Sequence, residues 1–180
     1  MIIEYRGKRP NVDSSAFVAP NAVLVGDVEV GPESSIWFGA VLRADNGPIR
    51  VGARTSIQDN AVLHVSEGGE TIVGDDVTVG HCAVMEDCRI AAHALIGSNA
   101  TLLNGSSIGE GALIAAGSVV GQNAMIPAHV VAAGAPAAVK KTLDGEAASW
   151  IEVSAEAYVK LSRLYLAQSI GVVEDQKTAR

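Results

Sequence analysis

Two side chains able to share a metal ion, His64 and Glu86, stand 22 residues apart in the chain. Each directly follows an aliphatic residue, Leu63 and Met85, that belongs to a six-residue periodicity. If three such units make one coil of 18 residues, the interval is one coil plus a four-residue insertion. That winding stacks His64 against Glu86 on neighbouring coils, about 4.8 Å apart by the spacing of paired strands. An imidazole and a carboxylate at that separation can ligate one divalent cation. His81 lies two positions after Val79, itself one hexad short of Met85, on a neighbouring face, and reaches such a cation only from a second chain. The set His64, His81 and Glu86 therefore predicts three sites at the three interfaces of a homotrimer. His93 and His129 have neither a carboxylate nor a histidine at ligand spacing and read as surface residues.

The element that must position these side chains is the hexad itself. Aliphatic residues recur every six positions through Val18, Leu24, Val30, Ile36 and Leu42, then Val51, Ile57 and Leu63. They resume as Val73, Val79 and Met85, and again as Ile90, Ile96, Leu102, Ile108, Ile114, Val120 and Ile126. A period of six suits neither an amphipathic helix nor a simple alternating strand. It suits a short strand followed by a tight turn, with one aliphatic pointing inward per strand. Hydrophobic residues make up 48% of the chain but aromatics only 4%, which fits a narrow core of stacked aliphatic layers. The fold class expected is an all-β solenoid, a parallel β-helix. Two breaks interrupt it, from Leu42 to Val51 and from Leu63 to Val73; the second contains Ser66-Glu67-Gly68-Gly69-Glu70, a small bulged loop. Insertions into repeat arrays commonly sit on the functional face.

The hexads stop near Gly134-Ala135-Pro136-Ala137, giving a β-helix domain over residues 1–139 and a remainder over 140–180. Lys140 to Gly145 reads as a linker. Helical spacing of Ile151, Ala155, Tyr158, Val159, Leu161, Leu164, Tyr165 and Leu166 then predicts a C-terminal α-helix over roughly residues 146–169, packed on the β-helix. Ser154 is an alternative start for it, as an N-cap. From Gly171 onward the tail is expected to fray. The formal net charge of −7, with no Lys/Arg cluster, excludes a phosphate-backbone footprint, so no nucleic-acid partner is expected. No signal-peptide pattern or membrane-spanning apolar run occurs, and no membrane partner is expected. Two cysteines, Cys82 and Cys88, make no secreted disulfide framework. These features read as a soluble, cytoplasmic protein.

Three segments resemble the gamma-class carbonic anhydrase family. Leu42-Arg43-Ala44-Asp45-Asn46-Gly47-Pro48-Ile49-Arg50-Val51-Gly52 is similar to that family's L-R-G-D-x-x-P-I-x-I-G stretch. Ser56-Ile57-Gln58-Asp59 through His64 looks like its N-I-Q-D-x-x-x-x-H, and Val79-Gly80-His81 through Cys88 like its I-G-H-x-A-x-x-H-G-C. Parallel crossovers are right-handed in ~98% of cases, so the left hand expected for this β-helix comes from the resemblance alone. The resemblance further implies metal-hydroxide hydration of CO2 to bicarbonate in a homotrimer, with zinc, iron or cobalt bound by two histidines of one subunit and one of the next. His64 and His81 match two of those positions, and Glu86 replaces the third histidine. Gln58 matches the residue that orients the attacking group. Arg43, Asp45 and Asp59 resemble the inter-subunit ion-pair network. Glu67, in the bulged loop, is a candidate proton relay to solvent.

A His₂Glu zinc set with an open position is established chemistry. One carboxylate makes the metal less positive, however, so its water is less acidic and hydration slower. Two other functions fit the repeat: a hexapeptide-repeat acyltransferase using acyl-CoA, and a non-catalytic trimeric binding protein associated with iron or a siderophore.

Overall fold

A computed structural model of the chain describes residues 1–171; the expected fraying beyond Gly171 lies outside the described residues. The hexads form the three faces of a triangular parallel β-helix, matching the left-handed class. On the first face Leu24, Leu42, Leu63, Met85, Leu102 and Val120 align in register. The second aligns Val30, Val51, Val73, Ile90, Ile108 and Ile126. The third aligns Val18, Ile36, Ile57, Val79, Ile96, Ile114 and Ala132. Every one of these residues is buried, so the six-residue period is the inward-facing set. Each coil thereby places three aliphatics on the next three, and the backbone hydrogen bonds between coils run parallel to the solenoid axis.

The corners make the turn by entering the left-handed backbone region. At the corner between the second and third faces, Glu33, Arg54, Asp76, His93, Gly111 and His129 all have φ between 53° and 60°. Only Gly111 among them lacks a side chain, and a Cβ there would meet His129 Nδ1 at 2.6 Å.

The two register breaks fall at the corner between the first and second faces. Val23–Val30 and Val41–Val51 each run through that corner as one continuous strand, with a register shift between Gly26 and Val28. The next coil carries the bulged loop. Asp87, one coil on, holds that loop down: its carboxylate accepts from the Ser66 N–H at 3.0 Å, from the Ser66 hydroxyl, and from Asn104 Nδ2 at 2.8 Å.

After the last coil the chain reverses. Val130–Gly134 pairs antiparallel with Ala137–Thr142, so the stretch expected as a linker from Lys140 begins inside a strand. Helix α1 then spans Gly145–Ala167 with Asp144 at its N-cap position. Ser154 is therefore a helix-interior residue and not its start; its hydroxyl is buried and accepts a hydrogen bond from Thr78 Oγ1 at 3.1 Å. The helix lies on the third face, where the chain's scarce aromatics are concentrated. Phe17, Trp37, Phe38, Tyr158 and Tyr165 form one cluster with ring centroids 4.9–6.4 Å apart. Trp37 anchors it, donating from Nε1 to the Ser35 and Ser56 hydroxyls. Among the described residues no helix is long and apolar enough to cross a membrane.

The cluster sets the expected stability response. Trp37 is 3% exposed and Trp150 on the outer side of α1 is 67% exposed. Trp37→Ala should lower the unfolding free energy by about 3–5 kcal/mol, and Trp150→Ala should change it by about 0.5 kcal/mol or less. Urea unfolding followed by circular dichroism reads both.

Candidate metal centre

Arg43, His64 and Glu86 occupy one register column on the first face, each directly after an inward residue of that face. Because side chains alternate along a strand, all three point outward, and Asp45, two residues beyond Arg43, points the same way. Beside this polar column stand Val41, Val62 and Val84 in register. His64 Nδ1 lies 3.0 Å from Glu86 Oε1. Its other nitrogen, Nε2, is 3.5 Å from Asp45 Oδ1, beyond the roughly 2.7–3.2 Å of an N–H···O hydrogen bond. Both Nε2 of His64 and Oδ1 of Asp45 are buried and have no hydrogen-bond partner among the described residues. The second Asp45 oxygen accepts from Arg43 Nη1 at 2.5 Å. Burial would raise the Asp45 carboxyl, but the hydrogen bond and positive charge of Arg43 outweigh it and hold the group below its ordinary 3.8. Asp45 is thus a carboxylate with one anchored and one free oxygen.

His81 stands at the corner between the third and first faces, one coil beyond Asp59. Its Nδ1 lies 2.9 Å from Asp59 Oδ2, and its side chain is half exposed. Gln58, beside Asp59 at the same corner, is buried. Glu67 is exposed in the bulged loop and makes no ion pair or hydrogen bond among the described residues. The predicted residues thus fall into two groups within one chain: Arg43, Asp45, His64 and Glu86 in the first, Gln58, Asp59 and His81 in the second. No set of three His, Cys, Asp or Glu side chains within a single chain converges on one point among the described residues. His93 and His129 are exposed at the far corner, as their spacing implied.

Reading the hexads alone missed the approach of Asp45 to His64. The signal was present: Arg43 pairs in register with His64, and Asp45 shares its side of the strand. Reading the hexads also missed that both histidines meet a carboxylate through Nδ1.

The donor chemistry fits a divalent cation. A metal bound tetrahedrally at ~2.1 Å by a nitrogen and an oxygen holds them about 3.4 Å apart, close to the 3.5 Å between His64 Nε2 and Asp45 Oδ1. Two buried, unpartnered lone-pair atoms at that spacing are costly unless something bridges them.

Comparison with known proteins agrees with the sequence motifs. The chain is 42% identical to a carbonic anhydrase of Geobacillus kaustophilus, covering 93% of this chain and 92% of that protein. It is 48% identical to a probable carbonic anhydrase of Methanocaldococcus jannaschii, over 84% of this chain and 95% of that one. The chain belongs to the gamma-class carbonic anhydrase-like family. The mitochondrial gamma carbonic anhydrase 1 of Arabidopsis thaliana is 41% identical over 96% of this chain, which spans 66% of that longer protein's length. A family profile for bacterial transferase hexapeptides (six repeats) matches residues 87–122. Among solved structures, a Bacillus cereus protein provisionally described as an acetyltransferase superposes with a TM-score of 0.92 at 43% identity, covering 93% of this chain and 98% of that one. A protein of closely similar architecture thus carries a different functional name.

The Arg43–Asp45 pair makes a pH-dependent contribution. A carboxyl held below 3.8 in the folded chain stabilises it fully above that value and loses the contribution as pH falls through the lower folded value. Arg43→Gln should therefore melt at a lower temperature than wild type at about pH 6, with the two curves converging by about pH 2–3. Thermal denaturation across that range measures the difference.

Proposed function

We propose that this chain is a carbonic anhydrase-like lyase that hydrates CO2 to bicarbonate at a divalent metal held between subunits of a homotrimer. The observation that carries the reading is His64: its Nδ1 is fixed by a carboxylate, while its Nε2 is buried and without a partner. A ring secured on one side with a free lone pair on the other is how metal-binding histidines are held. His81 repeats the arrangement through Asp59. His64 of one chain and His81 of a neighbour, with one carboxylate, give a three-residue set that leaves a position open. Zinc suits such a set, and iron or cobalt also accept it.

The surface around His64 supports assembly. Val84 and Leu103 beside the polar column are exposed, and α1 covers the third face, leaving this one without a covering helix among the described residues. A second copy seating its His81 corner there would cover that aliphatic strip and bring the two histidine groups together. Such an interface repeats three times around a three-fold axis.

A divalent cation held by these residues would supply Lewis acidity, lowering the pKa of a water toward neutrality. The chain's own residues do the rest. Gln58 presents an amide that can donate and accept at once, which suits it to orienting a small oxygen-bearing substrate. Glu67, exposed in its loop, can take a proton to solvent. Arg43 holds Asp45 ionised beside His64. CoA-dependent acyl transfer would instead need a histidine nitrogen open to an acceptor hydroxyl or amine; His64 Nε2, buried beside Asp45, is not so placed, whereas the half-exposed His81 is.

Protein purified without chelator should sediment as a trimer and carry about one metal ion per chain, as three equivalent interfaces require. Stopped-flow assays should show CO2 hydration, lost on chelation and restored by zinc or by ferrous iron under anaerobic conditions. Gln58→Ala should keep the metal and lower kcat about a hundredfold. A metal-free trimer that stays inactive after both metals are restored overturns the reading.

A further inference from the structure

The gamma-class motif that Val79 through Cys88 resembles has a histidine where this chain has Glu86, and the simplest substitution would make Glu86 the third ligand. The geometry points elsewhere. An imidazole has two nitrogens, both bonded to Cε1 and aimed in diverging directions, and a neutral ring bears a proton on one and a lone pair on the other. An ionised carboxylate can only accept, so a nitrogen hydrogen-bonded to one carries the proton. At His64 that nitrogen is Nδ1, 3.0 Å from Glu86; at His81 it is again Nδ1, 2.9 Å from Asp59. Both rings therefore present Nε2 as the donor, and Glu86 is engaged at the other nitrogen of the His64 ring. To ligate a cation at Nε2, Glu86 Oε1 would have to release Nδ1.

Asp45 is already on the ligand side. Its Oδ1 is 3.5 Å from His64 Nε2, buried and unpartnered, while Arg43 anchors Oδ2. Of the other nearby carboxylates, Asp59 is engaged with His81, and Asp87 is saturated by Ser66 and Asn104. The Cys88 thiol is buried in the core and pushed up to about 12 by that burial and by the neighbouring Asp87, so it offers no thiolate.

We infer that Asp45 is the carboxylate ligand of the metal, completing a His64–Asp45 pair with the His81 of a neighbouring chain, and that Glu86 is a positioning residue acting through His64. The inference rests on the metal-dependent reading above and specifies its ligand set. Two neutral imidazoles and one carboxylate give the cation the same charge environment as the Glu86 alternative, so the two sets differ in geometry and not in electrostatic strength. Glu86 and Asp59 then have one task, to fix the tautomer and orientation of a histidine whose far nitrogen binds.

The test uses the intact trimer and Co(II) or Zn(II) as probe, with affinity read by chelator competition and coordination by the visible spectrum of the cobalt form. Asp45→Asn should weaken metal binding by more than about a hundredfold, the upper range for losing a supporting partner alone, and should change the cobalt spectrum. Glu86→Gln should stay within about tenfold of wild type with an unchanged spectrum, because the glutamine oxygen still accepts from Nδ1–H. The reverse order, with Glu86→Gln losing metal and Asp45→Asn keeping it, overturns the inference and leaves the metal-dependent reading standing. Wild-type trimer that binds neither ion overturns both. A zinc-soaked crystal of the wild type needs no variant: an Asp45 oxygen within about 2.2 Å of the ion supports the assignment, and a Glu86 oxygen there refutes it.

Discussion

The stacking of one coil on the next governs everything else in this molecule. Parallel strands in successive coils hold each inward aliphatic over its counterpart, so Leu42, Leu63 and Met85 form a column whose register admits no slippage. A shift by one residue would turn every side chain of that face around, burying Arg43, His64 and Glu86 and exposing the core. Strict burial of the aliphatics thus serves as the ruler for the polar residues outside. The spacing between a histidine and a carboxylate on this face is a property of the backbone ladder, and neither side chain has to be ordered by a loop.

The same ruler explains where insertions are tolerated. Extra residues enter at the corner between the first and second faces, where the chain is turning and no inward residue is displaced. There the bulged loop is tied to the next coil by the Asp87 carboxylate, which satisfies donors of Ser66 and Asn104 together. Adding residues at this corner leaves the columns intact on either side, and His64 and Glu86 remain partners across a 22-residue interval.

Much of this architecture was legible in the residues. A period of six with aliphatic inward positions is a strong constraint, and each hexad residue from Val18 to Ile126 lies in the core. The pairing of His64 with Glu86 followed from counting alone, once the insertion was subtracted. What counting could not supply was direction within a side chain. Hexad arithmetic locates a Cα, whereas the choice between Nδ1 and Nε2 depends on rotamers and on neighbours such as Asp45 and Asp59. The start of α1 escaped for a different reason: Ser154 has the chemistry of a cap, but its hydroxyl instead meets Thr78 on the face below. The strand Ala137–Thr142 was hidden because it lies outside the repeat and pairs in the opposite sense.

That reversed strand has a consequence for the molecule as a material. A parallel β-helix ends in a full row of unpaired backbone groups, and each coil is a template for another, so an uncapped end invites copies to join end to end into a fibre. Here the final parallel strand, Val130–Gly134, meets an antiparallel partner carrying the exposed Lys140 and Lys141. The opposite strand sense breaks the coil template, and two like charges along the new edge repel a second molecule approaching in the same way. On this third face the strand reversal and its charged edge therefore disfavour the stacking of another coil, while the last strands of the other two faces, Val119–Val120 and Met125–Ile126, carry no such cap among the described residues.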